Sequence, residues 1–406
     1  MTTTSYRPRE LAGIITRCLG EMPVVVVTGM RQTGKTTLIR NEPALKERRF
    51  INLDDFAQVE AAKRDPESLL AVNEPVTIDE VQRVPELLLV VKRLVDENRV
   101  PGRFLLSGSA NLSLLKGVSE SLAGRAIYLN LRPFSFRELT GRMDDEPFLV
   151  KFLKSPRIPQ QETSPFDLEL VLRGGMPPVC LEMVSNPSIW FRGYEQTYLE
   201  RDVRDLIRIS DLTSFRRLLH LLAYRSGSIL RISELARDAG LTVGTVSRYL
   251  GVLEASFVID RLPPYLAGKA TRLIKSPKVV LGDSGLGCFL TGVKETHQEP
   301  FFGAMLETYV AQNLLAIFET HLAEAGLFFW HVQGRYEVDF VIEWGTRVVA
   351  IEVKAASRWE AKDLRGLKAF AQRVANCHGA ILAYTGTEAV SLGEKLWAIP
   401  LSLLLS

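Results

Sequence analysis

The chain of 406 residues is too long for one hydrophobic core, and its 46% hydrophobic and 24% charged residues exclude a fibrous or disordered protein. The net charge of +3 decides little by itself, and the four cysteines form no C-x-x-C pair. No apolar run approaches the roughly 20 residues that span a bilayer, and the N-terminus lacks an apolar signal core. We therefore predict a cytoplasmic protein of two or three domains with no membrane segment.

The most informative stretch runs from residue 24 to residue 38. Four consecutive valines predict a strand buried on both faces, and the next residues fit the pattern G-x-x-x-x-G-K-[ST] before a helix that begins at Lys35. Such a loop turns backbone N–H groups toward a phosphate, while Lys35 can reach the β- and γ-phosphates and Thr36 can ligate Mg²⁺. A glycine-rich turn is the alternative. The predicted ATP-binding residues are Gly29, Met30, Arg31, Gln32, Thr33, Gly34, Lys35, Thr36 and Thr37.

Strands alternate with helical runs around this loop. After the valine strand, further strands are predicted at residues 49–53, 75–80, 104–109 and 126–131, and helices within residues 1–23 and at 85–97 and 112–116. This alternation predicts a parallel sheet covered on both faces. In sequence, one strand lies between the strand that precedes the glycine loop and the strand at 75–80. This order fits the P-loop proteins that hydrolyse ATP with an added glutamate.

Two carboxylates, Asp79 and Glu80, end the strand at residues 75–80. In P-loop enzymes an aspartate at this place holds Mg²⁺ through its water shell, and a neighbouring glutamate can orient and deprotonate the attacking water. A solvent-facing acidic strand end is the alternative. Ser109, at the next strand end, is predicted to contribute a polar group near the γ-phosphate.

The middle of the chain is more polar and contains a basic segment. Residues 142–165 are rich in proline and charge and predict a linker, and residues 189–209 predict a helix with charged pairs on a solvated face. The segment from Thr213 to Lys275 contains ten Lys or Arg residues and four Asp or Glu residues, which gives it a net charge of +6 (10 − 4). Such a concentration favours contact with a polyanion.

Residues 229–262 have the pattern of a winged helix-turn-helix. A helix is predicted at 232–239, a turn at Gly240, a second helix capped by Thr242, and a strand at 257–262. The second helix would bury Val246, Leu250 and Leu253 and expose Thr245, Ser247 and Arg248. We predict that Arg248 contacts duplex DNA from this face. A winged helix used only for packing or subunit contact is the alternative.

The C-terminal third carries a second group of ionisable residues. A helix is predicted at 304–318, and strands at 327–331, 337–342 and 348–354. Asp339 stands at a strand end, and Glu352 and Lys354 share one face of the last strand. This D-x(n)-E-x-K order is the core of the PD-(D/E)-x-K nucleases, in which carboxylates bind Mg²⁺ and the lysine helps activate water. Val338 replaces the proline of that motif.

We predict that Asp339, Glu352 and Lys354 converge in one cleft as a catalytic site. Two alternatives stay open: the solvent face of an amphipathic strand, or a metal-free structural trio in which Lys354 pairs directly with a carboxylate.

Together these motifs resemble a prokaryotic family of AAA-type P-loop ATPases that carry a C-terminal nuclease-like domain of unknown function. The resemblance rests on the phosphate loop, the IDE strand end, LLSGSANL, SLAGR, LRPFSFRE, GGMP and the C-terminal EVDFVIE and IEVK. It implies that Arg125 acts in trans on a neighbour's γ-phosphate, unless that arginine has a structural role. It also implies that Glu307 joins Asp339 and Glu352 as a metal ligand.

The predicted architecture is α/β in four segments. Residues 1–141 would form a P-loop AAA-like ATPase domain, 142–212 a linker and helical region, 213–283 a winged-helix region, and 284–406 a restriction-endonuclease-like α/β domain. We expect a Mg²⁺-dependent ATPase associated with DNA that forms a homo-oligomer at least transiently. A nucleotide-controlled switch that only binds protein or DNA, or a regulator of a mobile element or stress system, is the alternative.

Overall fold

A computed structural model of the chain describes residues 6–108, 122–159, 163–199, 212–296, 300–332 and 334–406. The chain divides into two compact units. Unit 1 contains residues 1–133, 193–209 and 251–258, and unit 2 contains residues 134–192, 210–250 and 259–406. Each unit is described by itself.

The described residues of unit 1 form a five-stranded parallel sheet. Its strands are β1 (Val24–Thr28), β2 (Arg49–Asn52), β3 (Val76–Asp79), β4 (Phe104–Ser107) and β5 (Ala126–Asn130). They follow the spatial order β2-β3-β4-β1-β5, so β4 lies between β1 and β3. Because all the pairs are parallel, the carboxyl ends of β1, β3 and β4 meet at one edge.

Helices cover this sheet. They are α1 (Leu11–Leu19), α2 (Lys35–Asn41), α3 (Phe56–Arg64), α4 (Pro66–Leu70) and α5 (Leu87–Glu97). Every residue of β1 is buried, and alternate valines enter two separate apolar clusters: Val24 and Val26 in one, Val25 and Val27 in the other. β-Branched side chains suit a strand packed on both faces. The predicted parallel α/β sheet is therefore confirmed.

Unit 2 contains two sheets within the described residues. Strands β6 (Ser228–Ile229), β7 (Ile259–Leu262) and β8 (Lys278–Leu281) form an antiparallel sheet in the order β6-β8-β7. The larger, six-stranded sheet has the order β13-β14-β12-β11-β10-β9. Its strands are β9 (Gly326–Val332), β10 (Tyr336–Trp344), β11 (Arg347–Lys354), β12 (Cys377–Tyr384), β13 (Val390–Gly393) and β14 (Leu396–Pro400).

Strands β11, β12 and β14 are parallel to one another, and β9, β10 and β13 pair antiparallel with their neighbours. The carboxyl ends of β11 and β12 therefore lie side by side, with Lys354 opposite Tyr384.

The helices after residue 134 include one of 20 residues that is buried along most of its length. The helices are α6 (Phe136–Thr140), α7 (Phe148–Lys154), α8 (Glu169–Arg173), α9 (Pro177–Cys180), α10 (Pro187–Tyr194), α11 (Leu212–Tyr224), α12 (Ile232–Ala239), α13 (Val243–Ala255), α14 (Lys269–Ile274), α15 (Ser284–Thr291), α16 (Phe302–His321), α17 (Arg365–Arg373) and α18 (Leu401–Leu404). The long helix α16 packs into the larger apolar cluster of unit 2.

Part of the predicted linker at 142–165 belongs to a core. Helix α7 buries Phe148, Leu149 and Phe152, and the Phe152 ring meets Trp397 edge-on at 5.0 Å. The apolar run FLVKFL outweighs the flanking prolines and charges, because burying it removes a large apolar area from water.

One other predicted segment is described only in part, and another is not described. Helix α10 continues as one π-helical turn, Glu195–Leu199, and the charged pairs of the predicted helix at 189–209 lie outside the described residues. The predicted helix at 112–116 also lies outside them.

No helix in the described part of the chain combines the length and apolar character needed to cross a bilayer.

Candidate functional site

The loop between β1 and α2 is shaped by two glycines. Gly29 and Gly34 have φ angles of 142° and 94°, a region that L side chains rarely adopt. A Cβ atom on Gly29 would lie 2.3 Å from the Leu131 carbonyl oxygen, so only glycine fits there. Met30 and Thr33 are buried, and the Thr33 hydroxyl donates to the Met30 carbonyl oxygen at 2.9 Å. This hydrogen bond and the burial of Met30 and Thr33 stabilise the conformation of the loop.

The ammonium group of Lys35 lies within this loop. The residue is 6% exposed, and its Nζ donates to the carbonyl oxygens of Gly29 and Met30, each at 2.9 Å. A buried ammonium needs such partners because desolvation penalises the charge. Thr36, the next residue, is half-buried, and Thr37 is exposed.

Two carboxylates end β3 at the same edge of the sheet. Asp79 is 1% exposed, and its Oδ1 accepts hydrogen bonds from the Ser107 hydroxyl and from the Glu80 backbone N–H at 3.2 Å. Glu80 follows in a left-handed conformation with φ of 57°, which is uncommon for a residue with a side chain. Such a conformation at a strand end is typical of functional sites.

The environment of Glu80 favours a carboxyl group that accepts protons readily. Burial raises its pKa above the ordinary range, Lys35 opposes this rise, and the charge of Asp79 adds to it. The Gln82 side-chain amide donates to the Glu80 carboxylate and also opposes the rise. A general base works best with a pKa near the working pH, so this shift suits the predicted role.

Three contacts of this site were not predicted from the sequence. The Ser107 hydroxyl donates to Asp79. Ser109, predicted to lie near the γ-phosphate, is outside the described residues. Arg9 donates to the carbonyl oxygens of Thr33 at 2.8 Å and Arg132 at 2.6 Å. The Tyr194 hydroxyl donates to the Arg31 carbonyl oxygen at 3.4 Å. The strand-end position of Ser107 was a usable signal, whereas nothing in the sequence marks Arg9 or Tyr194.

Arg125 lies at the opposite edge of the sheet from the loop. It precedes β5, whose first residue, Ala126, pairs with Val24 at the start of β1. Its guanidinium forms a two-pronged ion pair with Asp96 on α5, with distances of 2.5 and 2.8 Å. The amino and carboxyl ends of a five-residue strand are about 15 Å apart, so Arg125 does not approach the loop of its own chain.

A second cluster of charged side chains lies in unit 2. Lys354 Nζ is 3.1 Å from Glu352 Oε1, so the two residues pair directly along β11. Asp339, on β10, accepts a hydrogen bond from the Val353 backbone N–H at 2.8 Å, which places it beside both of them. The Asp339 residue is 8% exposed. The three predicted residues thus lie together, but Lys354 already has a carboxylate partner.

Lys278, at the start of β8, is a member of this cluster that was not predicted. It is 3% exposed, and its Nζ lies 2.5 Å from Glu337 Oε1 and 4.0 Å from Asp339 Oδ1. Glu307, on α16, is close enough to Asp339, Lys278 and Glu352 for all three charges to act on its pKa.

Burial dominates the electrostatics of these acids. It raises the pKa of Glu307 well above its usual range and the pKa of Glu352 to about 8, with the charge of Asp339 adding to both shifts. Among the described residues, Glu352 Oε2 is buried with no hydrogen-bond partner. The described part of the chain holds no group of three His, Cys, Asp or Glu side chains placed to bind a metal ion. The two lysines thus supply the positive charge beside these carboxylates.

The predicted helix–turn–helix elements are present around Arg248. Helix α12 ends at Gly240, which has φ of 71°, and the Thr242 hydroxyl accepts from the Thr245 N–H at 3.1 Å next to α13. Val246, Leu250 and Leu253 are fully buried as predicted.

Arg248 and Ser247 are exposed and Thr245 is half-buried. Part of the positive excess is paired, because Arg225 contacts Asp238 and the buried Arg272 contacts Glu343.

Three family models match separate parts of the chain. An AAA domain matches residues 21–140, a domain of unknown function (DUF8612) matches 168–297, and another domain of unknown function (DUF4143) matches 302–404. The first match covers the glycine loop, Asp79 and Glu80. The chain therefore has an AAA-type P-loop domain at its N-terminal end and a DUF4143 domain at its C-terminal end.

Two relatives match along most of their length. The uncharacterized proteins Rv2008c of Mycobacterium tuberculosis and Mb2031c of Mycobacterium bovis are each 34% identical over 356 residues, or 86% of this chain and 74% of the relative. Among solved structures, a Walker-type ATPase of Pyrococcus abyssi is 15% identical, with a TM-score of 0.42 over 70% of this chain and 99% of that one.

Proposed function

This chain belongs to the family of the mycobacterial proteins Rv2008c and Mb2031c, and we propose that its unit 1 binds and hydrolyses ATP. One observation carries the proposal: the Lys35 ammonium, Asp79 with Ser107, and Glu80 all lie at one edge of the sheet. The AAA-domain match over residues 21–140 supports the same conclusion.

Binding would exchange the partners of Lys35. Its ammonium now donates to two carbonyl oxygens of the loop, and β- and γ-phosphate oxygens are stronger acceptors because they are charged. The backbone of Gly29 to Gly34 would surround the phosphates, with the side chains of Met30 and Thr33 turned into the core.

The residues also suit Mg²⁺. The Thr36 hydroxyl stands directly after Lys35, and the hydrogen bonds to Asp79 within the described chain fall on Oδ1, which leaves Oδ2 for a metal-bound water. Mg²⁺ would neutralise phosphate charge. The role of Asp79 is then to hold this water shell, and Ser107 fixes the orientation of its carboxylate.

Glu80 is the proposed general base. The raised pKa of the Glu80 carboxyl group favours proton transfer from water. The left-handed backbone conformation of Glu80 turns its side chain in a different direction from that of Asp79. The amide of Gln82 orients one carboxylate oxygen.

Lys35→Ala tests the binding step. We expect the variant to lose most ATP affinity, because the Lys35 ammonium lies within the loop and is the group that reaches the β- and γ-phosphates in this motif. Calorimetric titration of the full chain with ATP and Mg²⁺ measures this. Lys46→Ala, which removes an exposed lysine of the same unit, is the matched control and should bind as the wild type does. Equal affinity in both variants would exclude the loop as the ATP site.

We propose DNA contact as a second function, carried by the exposed Arg248 on α13 within the segment of net charge +6. Binding of a duplex should be largely non-specific, with Kd of about 10⁻⁴–10⁻⁶ M at physiological salt, and should weaken as salt rises.

Fluorescence anisotropy with a labelled duplex measures this contact. Arg248→Glu should reduce affinity severalfold, whereas Arg157→Glu, an exposed arginine of unit 2 outside the basic segment, should change it little. If the affinity for the duplex changed neither with salt concentration nor in the Arg248→Glu variant, the proposed contact would be wrong.

Metal-dependent cleavage by Asp339, Glu352 and Lys354 stays a prediction of the sequence motif. The direct Lys354–Glu352 pair and the buried Lys278 instead favour a charge-compensated cluster. DNA is incubated with Mg²⁺ or Mn²⁺ and either the wild type or Asp339→Ala/Glu352→Ala. Cleavage by the wild type alone would indicate a nuclease site, and no cleavage by either protein would indicate a charge-compensated cluster.

A further inference from the structure

A cavity of about 620 Å³ opens in unit 2 at the carboxyl ends of β11 and β12. It lies between the loop that follows Lys354 and the loop that follows Tyr384. Its functional lining comes from Ser357, Arg358, Trp359, Thr385, Thr387 and Glu388. It belongs to unit 2, whereas the glycine loop belongs to unit 1.

The walls of this cavity are held in place by hydrogen bonds. The Thr385 N–H donates to the Ala356 carbonyl oxygen at 3.2 Å, which joins the two loops. The Tyr384 hydroxyl donates to the Glu388 carbonyl oxygen at 2.5 Å, and the Thr163 hydroxyl donates to the Thr387 carbonyl oxygen. The second loop is therefore anchored on both sides.

Gly386 shows how closely the second loop is packed. A Cβ atom there would lie 2.2 Å from Tyr384 Cε2 and 2.8 Å from the Ser357 carbonyl oxygen. The close approach of the Tyr384 ring and the Ser357 carbonyl group requires glycine at this position. A preformed cavity of this kind binds a ligand without the cost of ordering a loop.

The side chains of the lining combine three kinds of recognition. Trp359 is half-buried and packs against the apolar cluster that includes Leu364 and Phe370. Arg358, beside it, is exposed and suits an anion, and Glu388, on the facing loop, can accept hydrogen bonds from amino and imino groups. The Ser357, Thr385 and Thr387 side chains add hydroxyl groups.

We propose that this cavity binds one nucleotide unit, with its base against Trp359, its phosphate on Arg358 and the donor groups of the base toward Glu388. An aromatic ring beside an arginine is the pairing that recognises nucleotides in single strands, because every base offers a flat face and every nucleotide a phosphate. The unit is a free mononucleotide or part of a single strand, since both present this chemistry. The proposal does not depend on ATP hydrolysis by unit 1.

The test uses the full chain with Lys35→Ala, so that nucleotide binding at the glycine loop does not contribute. Seven ligands are titrated separately by calorimetry: each of the four mononucleotides, a short single-stranded DNA, a short single-stranded RNA, and inorganic phosphate. Arg358→Ala, Trp359→Phe and Glu388→Gln are compared with Lys395→Ala. The last variant removes an exposed cation at the amino end of β14, the opposite end of the parallel strands.

Arg358→Ala should weaken nucleotide binding by roughly tenfold or more, comparable with losing one stacking or charged contact. Trp359→Phe should retain most affinity because a ring remains, and Glu388→Gln should alter the preference among the four bases. Lys395→Ala should change nothing. A mononucleotide that binds as tightly as a strand identifies the free nucleotide as the ligand, and binding restricted to strands identifies nucleic acid.

Three results would overturn the proposal. They are no binding of any nucleotide, equal binding by the Arg358→Ala and Lys395→Ala variants, or binding of inorganic phosphate as tight as that of a nucleotide. Because Arg358 and Glu388 are exposed, their variants are expected to fold, and thermal unfolding curves check this.

Discussion

Lys278 changes the interpretation of the C-terminal carboxylates more than any other residue does. Its ammonium is 3% exposed and lies 4.0 Å from Asp339 and 2.5 Å from Glu337. A buried ammonium beside a buried carboxylate supplies the charge that a metal ion would otherwise supply. With Lys354 paired to Glu352 as well, both carboxylates of the nuclease-like motif have a cation within unit 2.

The raised pKa of Glu352, about 8, makes the stability of the protein depend on pH. The folded state retains a proton that the unfolded chain releases above about pH 4.3, so the contribution of Glu352 to stability falls as pH rises from there through about 8. Glu352→Gln removes this titration. Between pH 5 and pH 8, we expect the denaturation midpoint of the wild type to fall relative to that of the variant.

Chemical denaturation at a series of pH values measures this difference. Glu324→Gln, at an exposed glutamate of unit 2, is the control and should follow the wild-type profile. If the Glu352→Gln variant also followed the wild-type profile of denaturation midpoint against pH, the pKa of Glu352 would be the same in the folded and unfolded chains.

At the scale of elements, the position of β5 limits what Arg125 can do. The arginine lies at the amino end of β5, and the glycine loop follows the carboxyl end of β1, so a catalytic Arg125 must serve another copy of the chain. Its ion pair with Asp96 ties the start of β5 to α5 instead. A catalytic role and a structural role of Arg125 predict different effects of removing Asp96 on ATP turnover.

We expect Arg125→Ala to lower ATP turnover by about 10³–10⁵, the range known for such arginines, while Asp96→Ala retains turnover because the guanidinium remains. Mixing Arg125→Ala with Lys35→Ala should restore activity, because each copy supplies what the other lacks. Steady-state phosphate release measures both effects. Equal losses in Arg125→Ala and Asp96→Ala, with no recovery in an assembly shown to mix subunits, would assign Arg125 a structural role.

The predictable parts of the site are those that depend on neighbouring residues in the sequence. The glycine loop, the burial of β1 and the placement of Asp79 and Glu80 at a strand end follow from local patterns, and the structure has them. Ser107 was missed because the prediction chose Ser109, although Ser107 is the last residue of β4. Arg9 and Lys278 act on residues more than twenty positions away, and no pattern in their own segments predicts those contacts.

The same limit applies to the predicted linker. Proline and charge at both ends of residues 142–165 favour a loop, but the apolar residues of α7 find partners in β14, more than 200 residues later. Only the tertiary fold shows that these residues have a core to enter.

At the scale of the whole molecule, the chain joins an AAA-type P-loop unit to a unit that ends in a DUF4143 domain. The proposed ATP site lies within unit 1, and the charged cluster, the exposed Arg248 and the Trp359 cavity lie within unit 2.

Hydrolysis through Glu80 is tested by measuring ATP binding and phosphate release for Glu80→Gln beside the wild type. Glu86→Gln, at an exposed glutamate of the same unit, is the control. We predict that Glu80→Gln binds ATP normally and releases phosphate about 10²–10⁴ times more slowly, because an amide cannot accept a proton from water. Phosphate release at the wild-type rate by Glu80→Gln would contradict the account.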